Sequence, residues 1–441
     1  MYRMISAINE YIFAPAIPAI LILFGLYLGI KLRFFNVTKA GTIIRCLLSN
    51  EEKKDRISSI RAMTLALAGT LGVGNITGVA SAIVSGGPGA IFWMWIGAFF
   101  SMLIKYCEIV VSMKYRVING NSFAGGAMYY MKRYIAVPFS VLCICAAFAI
   151  GNFLQMNAVT ESVRTISDIN PIYAGIIIAF IVWLSISREI KCITTVTFII
   201  VPLMSIIYFM LSLAVLIDHI EIIPQIFRLI FRSAFNTKAF LGGAGGYTIS
   251  RSIRYGISRG IISNEAGCGT APMAHATSTT KSPVKQGFWG IFEVFADTVI
   301  MCSLTAFVIL CSIDKHINLS GMELVTESFA ETIGASSGVI ITVCILMFAI
   351  ATMIGWSYYG ITALKYLSAK KAYINAYILL YCLSTITASV MSADLMWKIS
   401  DFCIGCMTVL NIVALLSHTD EVRGETEKFF EKIRLSKRTQ K

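Results

Sequence analysis

An all-α membrane protein of about eleven transmembrane helices is the fold class this sequence predicts. Three observations predict it. Of the 441 residues, 57% are hydrophobic and only 14% charged, with a mean hydropathy of +0.75. A soluble domain carries about 25% charged residues, and a soluble chain this apolar would expose more apolar surface than a monomer tolerates. Apolar runs follow one another from Ile12 to Leu416 with short gaps. Each is near the roughly 20 residues that cross about 30 Å of hydrocarbon, which leaves no room for a soluble domain of useful size. Finally, basic residues recur in every second loop, the bias that orients a polytopic protein.

In order, the expected spans are 12–32, 60–84, 88–113, 134–157, 171–187, 195–217, 242–276, 286–312, 336–366, 372–390 and 396–417. The first reads as a span and not a cleavable signal, because no small-residue cleavage pattern follows it. The loop after it carries Lys31, Arg33, Lys39, Arg45, Lys53, Lys54, Arg56 and Arg61. Alternate loops repeat the pattern with Lys114, Arg116, Lys132 and Arg133, then Arg188 and Lys191, Lys281 and Lys285, and Lys365, Lys370 and Lys371. The tail adds Arg423, Lys428, Lys432, Arg434, Lys437, Arg438 and Lys441. The opposite side holds Arg3, Arg164, Arg228, Arg232, Lys238, Lys315 and Lys398. The N-terminus is therefore expected outside the inner (cell) membrane and the C-terminus in the cytoplasm. The formal charge of +13 then belongs to cytoplasmic loops and not to a nucleic-acid surface. The amphipathic, mostly basic tail from His418 is expected to lie on the lipid surface.

The 12 cysteines are scattered, with Cys143, Cys145, Cys302 and Cys344 inside apolar runs. None forms a CxxC set with metal spacing, so they read as small core residues.

Two spans are interrupted. Span two reads Ala68-Gly69-Thr70-Leu71-Gly72-Val73-Gly74-Asn75-Ile76-Thr77-Gly78, and span seven reads Ser263-Asn264-Glu265-Ala266-Gly267-Cys268-Gly269-Thr270-Ala271-Pro272. Each glycine costs about 1 kcal/mol relative to alanine inside a helix. Irregular backbone at membrane depth is tolerated only where it is buried in protein or lines a watery cavity. Two such breaks in corresponding positions point to the binding site of a secondary transporter. Their five-span separation makes five-helix repeats of 60–217 and 218–417, with opposite starting sides. Segment 1–59 is then an extra span with its basic loop, and 418–441 the tail. A lesser reading takes the glycines as helix-packing positions. Gly72, Gly74 and Gly78 do not make GxGxxG, and no strand precedes them, so a nucleotide loop is excluded.

A broken helix suits a zwitterion. The half-helix starting near Asn75 offers free N–H groups to a carboxylate. The half ending near Val73 offers carbonyls to sodium or an ammonium group. Asn75, Thr70 and Asn264 add neutral oxygens.

At these residues the sequence resembles the alanine or glycine:cation symporter family. The resemblance is carried by Gly86-Gly87-Pro88-Gly89-Ala90-Ile91-Phe92-Trp93-Met94-Trp95, by Ser263-Asn264-Glu265-Ala266-Gly267 and by Ala271-Pro272-Met273-Ala274-His275-Ala276. Phe295-Ala296-Asp297-Thr298 and Gly355-Trp356-Ser357-Tyr358-Tyr359-Gly360 extend it, so that it runs from about Arg61 to Leu416. It implies a LeuT-type 5+5 inverted repeat with one extra N-terminal helix. It also implies symport of alanine, glycine or a similar small neutral amino acid with Na⁺, and no other cofactor. The substrate residues it implies are Gly72, Gly74 and Asn75 in the first break, Gln155 and Asn157 in span four, Asn264 and Gly267 in the second break, and Trp356 in span nine. Thr70, Val73, Asn75 and Thr352 are the expected Na⁺ ligands, because hard cations take oxygen ligands. The sequence departs from the family pattern at Ala351-Thr352-Met353, where a Ser-Thr pair is usual.

Charged residues inside spans need partners. Lys105 and Glu108 share a helix face and read as a structural ion pair in preference to a proton relay. Glu293 and Asp297 are also expected on one face, where a functional carboxylate and a hydrogen bond to a neighbouring helix both stand. Glu265 is expected to hold the second break, through backbone amides or Arg259. His275 reads as structural. Trp93, Trp95, Tyr129 and Tyr130 are expected at membrane interfaces. Trp356 either walls a small pocket or packs the core.

An intramembrane enzyme would need a nucleophile–base pair or metal set, and neither is found. A channel would favour repeated filters or rings of charge. The nearest rival is a proton-coupled amino-acid transporter of the same fold, using Asp297 or Glu293.

Overall fold

Without water to satisfy it, backbone inside a bilayer must pair its own amides and carbonyls, which these apolar runs do as helices. The structure, a computed structural model, describes residues 2–48, 53–119, 122–188, 190–235, 249–313, 319, 321–334, 336–392 and 394–439. Residues 242–248 of the seventh expected span lie outside the described residues, as do Lys238, Lys315 and Lys441.

The principal helices are α1 (Ala14–Lys31), α2 (Lys53–Thr70), α3 (Thr77–Gly86), α4 (Gly89–Tyr115), α5 (Arg133–Arg164), α6 (Pro171–Ile186), α7 (Ile190–Asp218) and α8 (Ile223–Phe235). They continue as α9 (Ile249–Asn264), α10 (Ala271–His275), α11 (Pro283–Ser312), α12 (Gly321–Ile333), α13 (Ser337–Leu367), α14 (Lys371–Ala388), α15 (Asp394–Leu416) and α16 (Thr419–Thr439). One short hairpin pairs Val117–Asn119 with Ser122–Ala124. Among the described residues six helices, α4, α5, α7, α11, α13 and α15, are each long and apolar enough to cross a membrane. The α2–α3 pair makes a seventh passage if its 65° bend is counted as one span. Ala16–Lys31 and Pro171–Ile186 are shorter apolar helices.

Glycines let the helices around the breaks approach closely. A Cβ at Gly256 of α9 would lie 2.1 Å from the Ala90 carbonyl oxygen of α4. One at Gly290 of α11 would lie 2.2 Å from Ile109 Cδ1 of α4. Helix α4 is thus packed against α9 and α11, while α5 packs on α13 and α6 on α14.

Helices α5 and α11 each contain a π-helical segment, Ala149–Leu154 and Phe295–Cys302. Such a segment widens one turn and re-aims the side chains on it. Asp297 lies in this segment and bonds Asn75, while Glu293 lies before it and bonds His275. The two carboxylates, expected on one face from their four-residue spacing, take separate partners.

Two expectations are corrected here. The C-terminal segment is not a lipid-surface helix alone. Helix α16 docks on the protein, with Phe429 and Phe430 against Phe288 at ring separations of 5.5 and 6.1 Å. The Thr426 hydroxyl bonds Tyr106 at 2.6 Å, and Lys114 meets Glu421 and Glu425 at 2.8 and 3.0 Å. The aromatic face finds ring partners in Phe288 of α11 and in Phe35, which amphipathicity alone cannot distinguish from lipid. Tyr130 is not an interface residue either: it is buried, and its hydroxyl donates to Asn411 at 2.6 Å.

Candidate functional site

Helix α2 stops at Thr70, where Gly72 and Gly74 lower the cost of leaving the helix. Gly72 is extended, with φ −130° and ψ −163°, and a single tight turn over Val73–Asn75 leads into α3. The break is held by side chains. The Gly72 amide donates to Asn75 Oδ1 at 3.1 Å, and the Val73 amide donates to Gln155 Oε1 at 3.2 Å. Thr352 of α13 donates its hydroxyl to the freed Leu71 carbonyl at 3.3 Å.

The second break separates α9 from α10. Glu265, Gly267 and Gly269 have φ of 52°, 88° and 78°. Glycine adopts this left-handed geometry readily, whereas Glu265 needs support. It receives that support from Thr270 Oγ1 at 2.6 Å and Trp356 Nε1 at 3.0 Å. The Asn264 side chain accepts the Ala266 amide at 3.0 Å and donates to Thr298 at 3.1 Å.

The two breaks meet through a buried cluster. Asn75 Nδ2 donates to Ser263 Oγ at 2.9 Å and to Asp297 Oδ1 at 2.7 Å. Asp297 Oδ2 accepts the hydroxyls of Ser263 and Thr298, each at 2.8 Å. One carboxylate therefore ties the Val73–Asn75 turn, α9 and α11 together, and neutral donors offset the cost of burying its charge.

Beside this cluster lies a cavity of about 770 Å³, within the range of small-molecule sites. Its walls include Gly69, Thr70, Gly72, Val73 and Gly74 of the first break, Gln155 and Asn157 of α5, and Ser263 and Glu265 of the second break. It extends to Arg164, Met391 and Trp397, of which Arg164 and Met391 are exposed, so the cavity reaches the surface.

The expected site residues thus divide in two. Thr70, Gly72, Val73, Gly74, Gln155 and Asn157 line the cavity. Asn157 sits toward the rim and donates to the Met391 carbonyl at 3.2 Å. Asn75, Asn264, Gly267, Thr352 and Trp356 are not lining residues; they are buried behind the wall and hold it. Trp356 bonds Glu265 from behind, and Glu265 lines the cavity where the indole does not. Glu265 is held by Thr270 and Trp356, where backbone amides or Arg259 were expected.

The expected Lys105–Glu108 pair is replaced. Lys105 pairs with Glu293 at 3.1 Å and donates to the Asn264 carbonyl at 2.7 Å. Glu108 instead accepts from the Gly269 amide at 3.0 Å and from Asn411 at 2.5 Å. The backbone groups exposed by the break attract each charge more directly than the neighbouring side chain does. His275 is buried between Glu293 at 2.9 Å and Gln286 at 2.8 Å. Sequence reading missed Ser263, Thr270 and Asn411. Ser263 carried a signal as the neighbour of Asn264, whereas Asn411 carried none.

A helical membrane protein with two interrupted helices meeting at a mid-chain cavity has the make-up of a secondary transporter. The sodium:alanine symporter family model matches residues 1–441, and the chain belongs to that family. It is 35% identical over 445 residues to the sodium/alanine symporter AgcS of Methanococcus maripaludis, covering 97% of each chain. An uncharacterized transporter of Haemophilus influenzae is 37% identical over 442 residues, covering 98% of this chain and 97% of its own. The probable sodium/glutamine symporter GlnT of Bacillus subtilis is 32% identical over 421 residues, covering 94% and 87%. Among solved structures, a manganese transporter of Eremococcus coleocola matches with TM-score 0.55 at 11% identity, over 83% of this chain and 80% of that one. The chain is therefore a multi-pass membrane transporter and not an enzyme, and its family carries Na⁺-coupled amino-acid symport as its class of activity.

Proposed function

We infer that this transporter moves a small neutral amino acid, alanine or glycine, together with Na⁺ by alternating access. In this reading eleven spans form a LeuT-type 5+5 inverted repeat, 60–217 and 218–417, behind one extra N-terminal helix. The N-terminus lies outside and the C-terminus in the cytoplasm.

The observation that carries the reading is the meeting of the two breaks through Asn75, Ser263 and Asp297 beside the cavity. Residues of both breaks thereby line one space. Amides and the amide side chain of Gln155 suit a carboxylate, and the Glu265 carboxylate suits an ammonium group. Neutral oxygens of Thr70, Leu71, Val73 and Thr352 suit a hard monovalent cation. The family relationship to AgcS supports alanine, and that to GlnT supports neutral amino acids more broadly.

The test is uptake of labelled alanine and glycine into proteoliposomes under an imposed Na⁺ gradient, a pH gradient, or neither. Uptake is expected to follow the Na⁺ gradient. Uptake that follows the pH gradient and ignores Na⁺ would replace this reading by proton coupling.

A further inference from the structure

We propose that Lys105 and Glu108 are positioning residues that clamp the two sides of the second break, so that the unwound segment is carried by α4. The inference rests on the transport reading above for its consequence, though not for its geometry.

A broken helix leaves carbonyls at the end of its first half and amides in the segment beyond. The Asn264 carbonyl ends α9, and a cation meets it: Lys105 Nζ at 2.7 Å. The Gly269 amide lies beyond the break, and an anion meets it: Glu108 Oε1 at 3.0 Å. Each charge has the sign that its backbone group prefers. Both side chains are fully buried, so each bond operates in a low dielectric where losing it is costly. The two residues are three apart on one uninterrupted helix. Their spacing therefore fixes where the two sides of the break sit relative to each other.

Each clamp is itself anchored. Lys105 is held by Glu293 of α11 at 3.1 Å. Glu108 is held at 2.5 Å by Asn411 of α15, which also donates to the Gly267 carbonyl at 2.9 Å. Close glycine contacts of α9 and α11 with α4 remove slack between the helices. Between the clamps lies Glu265, which lines the cavity. Releasing either clamp frees Glu265 to leave its left-handed conformation, and the cavity wall loses its shape.

A purely structural role would lower thermal stability and leave the affinity of the folded protein alone. A positioning role lowers affinity. The variants are Lys105→Met, Glu108→Ala and Glu108→Gln in the full-length protein, the last retaining one acceptor for Gly269. Equilibrium binding of labelled alanine is measured at saturating Na⁺ on monodisperse protein, beside the melting temperature. Lys105→Met and Glu108→Ala are expected to raise Kd by about tenfold or more, and Glu108→Gln by less, since it keeps part of the hydrogen bonding. A Kd within about twofold of wild type in both Lys105→Met and Glu108→Ala, whatever the melting temperature, would overturn the proposal. Failure of the wild type itself to bind any small neutral amino acid would count against the transport reading instead. The clamp is then judged by hydrogen exchange of segment 264–270. That exchange is expected to accelerate about tenfold or more in Glu108→Ala with the rest of α9 unchanged, and unchanged exchange would refute it.

Discussion

Replacing Gly72 with alanine adds one methyl group at the first break, and the structure fixes where that methyl goes. Gly72 is extended, a conformation open to any residue, so the effect is steric and not one of backbone strain. The new Cβ would lie 2.6 Å from Thr352 Oγ1 and 3.2 Å from Gln155 Oε1. Ordinary contact begins at 3.4 Å, so Thr352 must retreat by about 0.8 Å or rotate its hydroxyl away. Either response breaks the 3.3 Å bond from Thr352 to the Leu71 carbonyl. Overpacking of this kind costs about 1–3 kcal/mol, which, carried by the ligand-binding geometry, corresponds to roughly a five- to 150-fold loss of affinity. If Thr352 and Leu71 supply oxygens to Na⁺, the loss appears in the Na⁺ concentration that half-activates uptake. Proteoliposome uptake of alanine across a Na⁺ series measures it. Gly424→Ala in α16 is the control, because a Cβ there also meets nothing within 4 Å and the residue lies away from the cavity. A Na⁺ activation profile for Gly72→Ala matching wild type would refute the reasoning, as would equal damage from Gly424→Ala.

Trp356→Phe removes the indole N–H from Glu265 and leaves a buried carboxylate oxygen short of a donor, which costs about 1–3 kcal/mol. Alanine binding should weaken while the size profile in competition with larger neutral amino acids stays unchanged; admission of larger substrates would place the indole in the pocket wall after all. The docked tail should release in acid. Burial opposes ionisation of Glu421, but hydrogen bonds from Lys114 and His418 outweigh it and hold its carboxyl below the usual range. A depressed carboxylate contributes stability that is present above the ordinary carboxylate pKa and lost as pH falls through the depressed value. Limited proteolysis should therefore cut α16 faster at acidic pH, and faster at neutral pH in Lys114→Ala; equal cleavage of wild type at both pH values would refute the role of Glu421 in docking α16.

Sequence alone determined that this chain lives in a membrane, where its apolar segments lie and where two helices break. Composition, run length and glycine clusters are local quantities, and the bilayer leaves backbone few options. The family resemblance pointed to Gly72, Gly74, Gln155 and Asn157, and these four line the cavity. It could not say which side of a side chain faces the cavity. Asn75 and Asn264 read as substrate ligands in the sequence, and in this structure their side chains bond Gly72, Ser263, Asp297, Thr298 and the Ala266 amide. Lys105 and Glu108 looked like partners because i,i+3 spacing brings them to one face. Only the tertiary structure brought Asn264 and Gly269 to them, from about 160 residues away. Asn411 belongs to the same class: nothing near it in sequence marks it, and its role exists only because α15 passes the second break. A break in a helix can be read locally, since it depends on the residues that weaken it. The groups that satisfy the freed amides and carbonyls come from wherever the fold delivers them, and that is a property of packing.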